Sequence, residues 1–297
     1  MTRRGAISNA PRAATATAAV VMKWRGGNVT IKPTHTSWRD FWGAHYDLTW
    51  ITDQIDRAKS IGCNAIRIIG AVNGVVAGDY TRSTYLARQQ AVLDYCISQN
   101  LRYYPCGAGD YATTLTTATK DELVAHATAL VGQPNIIGFD IVQEYDYWST
   151  QNSISVATFL ATTGAWYTAI KAANPALACT FSQADPTLDP TPIASYADFY
   201  DFHLYSDTVP AQFLTVNKRF IIGELGQNQA ASSAARTSRY VAGAGANSRA
   251  LCNGTFAWAL ADQSATASNQ WGIFDNSGVE RTDMTTTFKT YPLTRPA

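Results

Sequence analysis

What most narrows the folds open to this chain is an alternation of element types. From about residue 30 onward, short unbroken apolar runs alternate with longer segments whose apolar residues recur at helical spacing. Val29-Thr30-Ile31 is the first short run. A helix is predicted over 53–61, where Ile51, Ile55, Ala58 and Ile61 share a face and Gly62 supplies the stop. Ala65-Ile66-Arg67-Ile68-Ile69 follows as a strand carrying a single Arg. Further strands are predicted over 101–106, 136–142, 178–182, 199–204, 219–223 and 254–259. Between and after them lie helices over 84–99, 120–131, 155–173, 231–242 and 283–289, with one or two helical turns over 191–196. Strands apolar on both faces, each followed by a helix, imply a parallel sheet covered by helices. Eight such units in 297 residues fit an α/β fold, a single (β/α)8 TIM barrel, whose usual size is roughly 250 residues. The competing architecture is an open doubly wound sheet, but no Gly-rich phosphate turn follows any of the strands.

Residues 25–297 read as one catalytic barrel and 1–24 as an N-terminal tail, flexible or partner-bound. Thr2-Arg3-Arg4 and the Ala/Thr-rich stretch 13–19 only faintly resemble a secretory signal, because Thr dilutes the apolar part and Pro11 and Arg12 interrupt it. No cleavable signal is therefore expected; the expected setting is extracellular or virion-associated, with the tail available to a virion or cell-surface assembly. The chain has 23 Lys and Arg against 22 Asp and Glu, which gives no electrostatic reason to expect nucleic acid or an anionic membrane. No apolar run approaches the roughly 20 residues of a spanning helix. Only 15% of residues are charged while 11% are aromatic, so the surface is polar but uncharged and suits a ligand of the same kind. The five Cys (63, 96, 106, 179 and 252) lack CxxC spacing and sit in apolar stretches, as small buried hydrophobes do. With 4 His and no HExxH, neither a metal nor a cofactor is expected.

In a parallel barrel the chemistry gathers where the C-terminal strand ends converge. The second strand holds Arg67, the third leads to Gly109-Asp110-Tyr111, and the fourth ends Asp140-Ile141-Val142-Gln143-Glu144. The sixth gives His203-Leu204-Tyr205, the seventh Gly223-Glu224-Leu225-Gly226, and the eighth Trp258. A buried carboxylate costs several kcal/mol unless paired. Glu144 and Glu224, on strands facing each other across the mouth, therefore point to paired-carboxylate chemistry: one group protonates a leaving oxygen, the other attacks or activates water. The plainer reading has each Glu capping its loop or pairing with Arg67. His203 alone would be a hydrogen-bonded core residue; with Tyr205 two positions on, both share one face. Asp140 shares a face with Glu144 and lies four residues deeper, as support. Gly223 and Gly226 have no following Lys to suggest a phosphate loop.

Taken together, these residues resemble the clan of retaining (β/α)8 glycoside hydrolases that includes the cellulases and β-mannanases, over about residues 25–290. The resemblance implies that Glu144 is the acid/base and Glu224 the nucleophile. It also implies that Arg67 supports the nucleophile, that His203 and Tyr205 form the strand-six His-x-Tyr, and that Trp258 floors a sugar subsite. Where that clan usually has Asn before the acid/base, contacting the sugar 2-hydroxyl, this chain has Gln143, which must fold back or reach another hydroxyl. The clan's frequent strand-three His is replaced by Asp110 and Tyr111. Trp38, Trp42, Tyr147, Trp148 and Trp271 lie in loops, where they line further subsites or serve ordinary packing. Glu224 is expected to be held ionised by Arg67 and the Tyr205 hydroxyl, and Glu144 to be raised by apolar neighbours and by Glu224. A carboxyl separation of roughly 5–5.5 Å, the retaining spacing, is expected rather than the inverting 6.5–9.5 Å. The implied function is an endo-acting retaining β-glycosidase on a polysaccharide or oligosaccharide. The alternative is a carbohydrate-binding or structural barrel of a phage tail or cell-surface assembly, with weak or no hydrolysis.

Overall fold

The computed structural model describes residues 20–110, 114–264 and 266–296. The predicted short runs enter one parallel sheet whose strands we number β1 (Trp24–Val29), β2 (Ala65–Ile68), β3 (Arg102–Ala108), β4 (Phe139–Val142), β5, β6 (Tyr200–Leu204), β7 (Phe220–Leu225) and β8 (Cys252–Ala257). The fifth strand comes in two pieces, Cys179–Thr180 and Ser182–Gln183, interrupted at the buried Phe181. The first piece pairs with β4 and the second with β6, so the cylinder closes through this broken strand. All neighbours run parallel, in the order β5-β4-β3-β2-β1-β8-β7-β6-β5. The chain is a single TIM-type α/β barrel.

The covering helices start where short polar side chains take up the first free N–H groups. Asp47, Thr81, Thr116, Ser155 and Ser232 cap the helices Leu48–Ser60, Arg82–Ser98, Thr117–Ala129, Val156–Ala173 and Ser233–Asn247. The first of these begins five residues before the predicted 53, because the Asp47 carboxylate accepts the Trp50 N–H and opens the helix there. Gly62, at φ 79°, is in the left-handed conformation that glycine tolerates.

Two expectations need correction. The first strand is Trp24–Val29 and not 29–31: Gly26 and Gly27 hide it from a search for apolar runs. A Cβ on Gly26 would sit 2.3 Å from the Phe256 ring and 2.9 Å from the Ala65 carbonyl, and one on Gly27 would lie 2.3 Å from Leu260. These glycines let β8 and β2 pack closely against β1. The boundary drawn after residue 24 falls inside the folded unit. Val20–Met22 pairs antiparallel with Thr294–Pro296, and Lys23 is buried with its ammonium donating to Asn247 Oδ1 at 3.0 Å. Residues 1–19 of the expected tail and Tyr111 lie outside the described residues.

All five cysteines are buried free thiols, as their apolar settings imply, and burial pushes Cys63, Cys96 and Cys179 up to about 12. No described helix is long and apolar enough to cross a membrane. His126 is buried edge-to-face against Tyr85 and Phe139, with neither ring nitrogen hydrogen-bonded. Burial lowers its pKa to about 3.

Two outcomes follow for stability. Gly26→Ala should cost about 1–3 kcal/mol by overpacking against a ring and a carbonyl, read from the urea unfolding midpoint. An unfolded His titrates near 6.5, so as pH falls from there towards about 3 the unfolded chain takes up a proton that folded His126 refuses. This group therefore removes stability at acid pH, on the order of 1 kcal/mol per pH unit, and His126→Phe should flatten the decline between pH 6.5 and 4.5.

Candidate active site

Arg67 is the centre of the barrel mouth. It points inward from β2, fully buried, and three carboxylates surround its guanidinium. Its Nη1 donates to Glu224 Oε1 at 2.7 Å and to Asn28 Oδ1 at 2.9 Å, and Nη2 donates to Asp140 Oδ2 at 2.8 Å. Asp201 Oδ2 lies 4.0 Å from Nε. Asp140 also accepts the backbone N–H of Ser182, which ties the broken fifth strand to the cluster. Asp140 thus supports the mouth from below, as its depth on β4 implies.

The two glutamates converge above this cluster. Glu144 follows β4 in the left-handed conformation, φ 50° and ψ 58°, rarely populated by a residue with a Cβ. Its N–H donates to Ser182 Oγ at 2.9 Å and the following turn begins the helix Tyr145–Gln151, so the side chain is turned into the mouth. Glu224 lies within β7 and not just after it. Oxygens of the two carboxylates and a ring nitrogen of His203 all lie within 4.8 Å of one another. His203 Nδ1 and Glu144 Oε1 share a hydrogen bond of 2.7 Å, and the same nitrogen is 3.4 Å from Glu224 Oε2. Tyr205 donates its hydroxyl to Glu224 Oε2 at 2.5 Å. These three acidic and imidazole groups are also the one set among the described residues with metal-ligand proximity, though their donor atoms are already committed to one another.

Burial decides the charges. It pushes the Glu224 carboxyl above the usual range, against the pull of Arg67 and the Tyr205 hydroxyl. The two partners favour the ionised form, as expected, but desolvation opposes them and sets the net direction upward. Burial lowers His203 to about 4, so the ring is neutral near pH 7. The ring therefore meets Glu144 as an uncharged partner, and its tautomer sets which of the two donates.

Gln143 folds back: its Nε2 donates to Glu224 Oε1 at 3.3 Å, while its Oε1 is buried without a partner. Trp258 directly follows β8 and clusters with Ile69, Trp38, Tyr205 and Trp271, the Tyr205 and Trp271 rings meeting edge-to-face at 5.5 Å. Trp38 and Trp271 thus pack against the same cluster as Tyr205, whose hydroxyl reaches Glu224. Trp42 does not: it is fully buried, donates its indole N–H to the Ile69 carbonyl and packs against Phe41 and Tyr85. Trp148 is likewise core, 5.4 Å from the Phe159 ring. Asp110 lies two residues beyond β3, half-buried and near Tyr80. A cleft of about 450 Å³ opens from Tyr205 past Asp146, Tyr147, Leu188 and Ser206.

The cellulase (glycosyl hydrolase family 5) sequence model matches residues 18–286. The chain belongs to glycosyl hydrolase family 5. It is therefore a glycoside hydrolase of a retaining family, acting on carbohydrate. Among curated proteins no sequence relative matches. Solved structures of like fold include a GH5_18 protein from Bifidobacterium longum subsp. infantis, 16% identical with TM-score 0.69, covering 91% of this chain and 78% of that one. A GH5_18 protein from Streptomyces cattleya, solved in complex with Manβ1-4GlcNAc, is 13% identical with TM-score 0.68, covering 88% and 79%. The endo-1,4-beta-mannanase from Eisenia fetida is 16% identical with TM-score 0.58, covering 91% and 95%.

Sequence reasoning missed four residues of this family-5 mouth. Asn28 was hidden with the glycine-rich first strand. Asp201 was legible as the residue two before His203, on the same face of β6. Tyr104, which donates to Asp201 at 2.7 Å, sits in a run that reads as plain core. Asp146, whose carboxylate accepts the Ala184 and Asp185 N–H groups, carries no sequence signal of its own.

Tyr205→Phe removes a hydroxyl donor to a carboxylate, a contact worth about 1.5–3 kcal/mol, or roughly one to two pKa units. Glu224 should then ionise at higher pH still, and the acidic limb of the pH–kcat/KM profile should move up by that amount.

Proposed function

We propose that this family-5 chain cleaves internal β-linkages of a polysaccharide by double displacement, with Glu224 as nucleophile and Glu144 as acid/base. The observation that carries the reading is the approach of the two carboxylates, one oxygen of each lying within 4.8 Å of the other, which favours the short retaining spacing over the wider inverting one. Attack by a Glu224 oxygen on the anomeric carbon forms a glycosyl ester as the glycosidic C–O bond breaks. The Glu144 proton goes to the departing oxygen. Loss of the Glu224 charge then makes Glu144 the base: it takes a proton from water, the hydroxide attacks the same carbon, and Glu224 leaves as a carboxylate.

Each supporting contact has a place in these steps. Arg67, Tyr205 and Gln143 converge on Glu224 and stabilise the carboxylate released in the second step. The His203 contact orients Glu144. The aromatic cluster of Trp38, Trp258 and Trp271, in which Trp38 and Trp271 are partly exposed, is the candidate stacking surface for a pyranose. The cleft beyond Tyr205, with the exposed Tyr147 and Leu188, gives the leaving portion of a polysaccharide somewhere to lie. A β-1,4-mannan is the substrate class we place first, because proteins of like fold include a mannanase and one that holds Manβ1-4GlcNAc.

The test is a panel of mannan, glucan, xylan and galactan with product sizing and proton NMR of the first-formed anomer. Short oligosaccharides of β configuration are expected; binding without turnover would instead favour a carbohydrate-binding barrel. Glu144→Ala should lose about 10²–10⁴-fold on the polysaccharide and much less on a dinitrophenyl glycoside, whose leaving group needs no proton.

A further inference from the structure

A parity problem lies beneath Glu224. In β6 the inward residues are Asp201 and His203, and in β7 Ile221 faces inward with Tyr104 and Phe256. Strict alternation from Ile221 would turn residue 223 inward and residue 224 out towards the helices. Glu224 nevertheless points in, because β7 carries one extra residue. Phe202 pairs with Ile222 and His203 with Glu224, so Gly223 is skipped. On the other side Thr255 pairs with Ile222 and Ala257 with Leu225, two steps against three. Gly223 is a β-bulge seen by both neighbouring strands, and such a residue loses its place in the hydrogen-bond ladder.

Both polar backbone groups of Gly223 are instead held by buried side chains. Its N–H donates to Asp201 Oδ1 at 2.8 Å, and its carbonyl accepts from Asn28 Nδ2 at 2.8 Å. The space a side chain would need is already filled, since a Cβ on Gly223 would lie 2.2 Å from Asp201 Oδ1. Asp201 is anchored by the Tyr104 hydroxyl, and Asn28 by the same Arg67 nitrogen that binds Glu224. We propose that Asp201 and Asn28 are positioning residues that clamp the Gly223 bulge and thereby hold Glu224 on the inner face of the barrel. This rests on the nucleophile assignment above for its kinetic consequence, but not for its structural one.

The clamp requires an acceptor at Asp201 and a donor at Asn28; it does not require charge. Burial pushes the Asp201 carboxyl up, against the opposing pull of Arg67, while the contact to Gly223 uses Oδ1 only as an acceptor. An amide in its place keeps the Oδ1 acceptor for the Gly223 N–H, with the Tyr104 hydroxyl turning to accept from the amide NH2. If Asp201 served only to balance Arg67, Asp201→Asn and Asp201→Ala would be equally harmful.

Crystal structures and aryl-β-mannoside kinetics of Asp201→Asn, Asp201→Ala and Asn28→Ala separate these cases. Asp201→Ala and Asn28→Ala are expected to keep the barrel but shift Glu224 beyond roughly 3.5 Å from the Tyr205 hydroxyl. Their kcat should fall about a hundredfold with KM little changed, as for a misplaced reacting group. Asp201→Asn should keep Glu224 in place and retain most of the rate. Glu224 unmoved in both Ala variants, or Asp201→Asn as impaired as Asp201→Ala, would overturn the clamp. Should Asp201→Ala not fold, Asn28→Ala and Asp201→Asn decide the matter. If the wild type turns over no aryl glycoside, the functional reading fails while the crystal structures still decide the clamp.

Discussion

One buried positive charge organises the mouth of this barrel. Arg67 is taken wholly out of water and surrounded by Asp140, Asp201 and Glu224. A guanidinium suits this place because its planar fork keeps its charge and addresses several acceptors at fixed angles. The arrangement is not electrically balanced, however: three carboxylates around one cation cannot all stay ionised in a medium of low polarity. Burial pushes the Asp201 carboxyl up against the pull of Arg67, which relieves the excess, while Glu224 and Asp140 make the direct hydrogen bonds to the guanidinium. Removing the guanidinium would leave these acids without compensation, which is why the site and the stability of its surroundings are inseparable.

From this charge the structure can be followed outward. Arg67 fixes Asn28, Asn28 and Asp201 fix Gly223, and Gly223 sets the direction of Glu224. Asp140 reaches Ser182, and the Ser182 hydroxyl accepts the N–H of Glu144. The two glutamates are far apart along the chain, yet each is tied to Arg67 through no more than two intervening side chains. Their separation is therefore a property of the barrel core, not of the loops above it.

How much of this the sequence carried depended on whether the signal was local. The barrel was legible because alternation of apolar strands with amphipathic helices is a local pattern, and Glu144, Glu224, Arg67, His203 and Tyr205 were legible because they interrupt or end those strands. The first strand was not, since Gly26 and Gly27 answer to Phe256 and Leu260 from a distant strand and its loop. Nor could the strand seven register be read: residues 219–223 look like a complete apolar strand, and only the neighbouring strands reveal that Gly223 is extra. Trp42 illustrates the same limit in reverse. A tryptophan in a predicted loop left a sugar platform and ordinary packing equally open, and a short helix, Trp38–Trp42, turns the Trp42 indole into the core and leaves Trp38 partly exposed.

The broken fifth strand has a consequence for the turn that carries Glu144. A cylinder of parallel strands must be joined somewhere, and here the join passes through two-residue pieces on either side of Phe181, the shortest pairings in the sheet. Ser182 lies on that seam and also receives the backbone of Glu144, while Ala184 and Asp185 just beyond it are fastened by Asp146. The weakest join in the wall is thus placed against the wall's chemical edge. The seam, the turn that carries Glu144 and the wall of the adjoining cleft are joined by the same few hydrogen bonds, so a change in one bears on the other two.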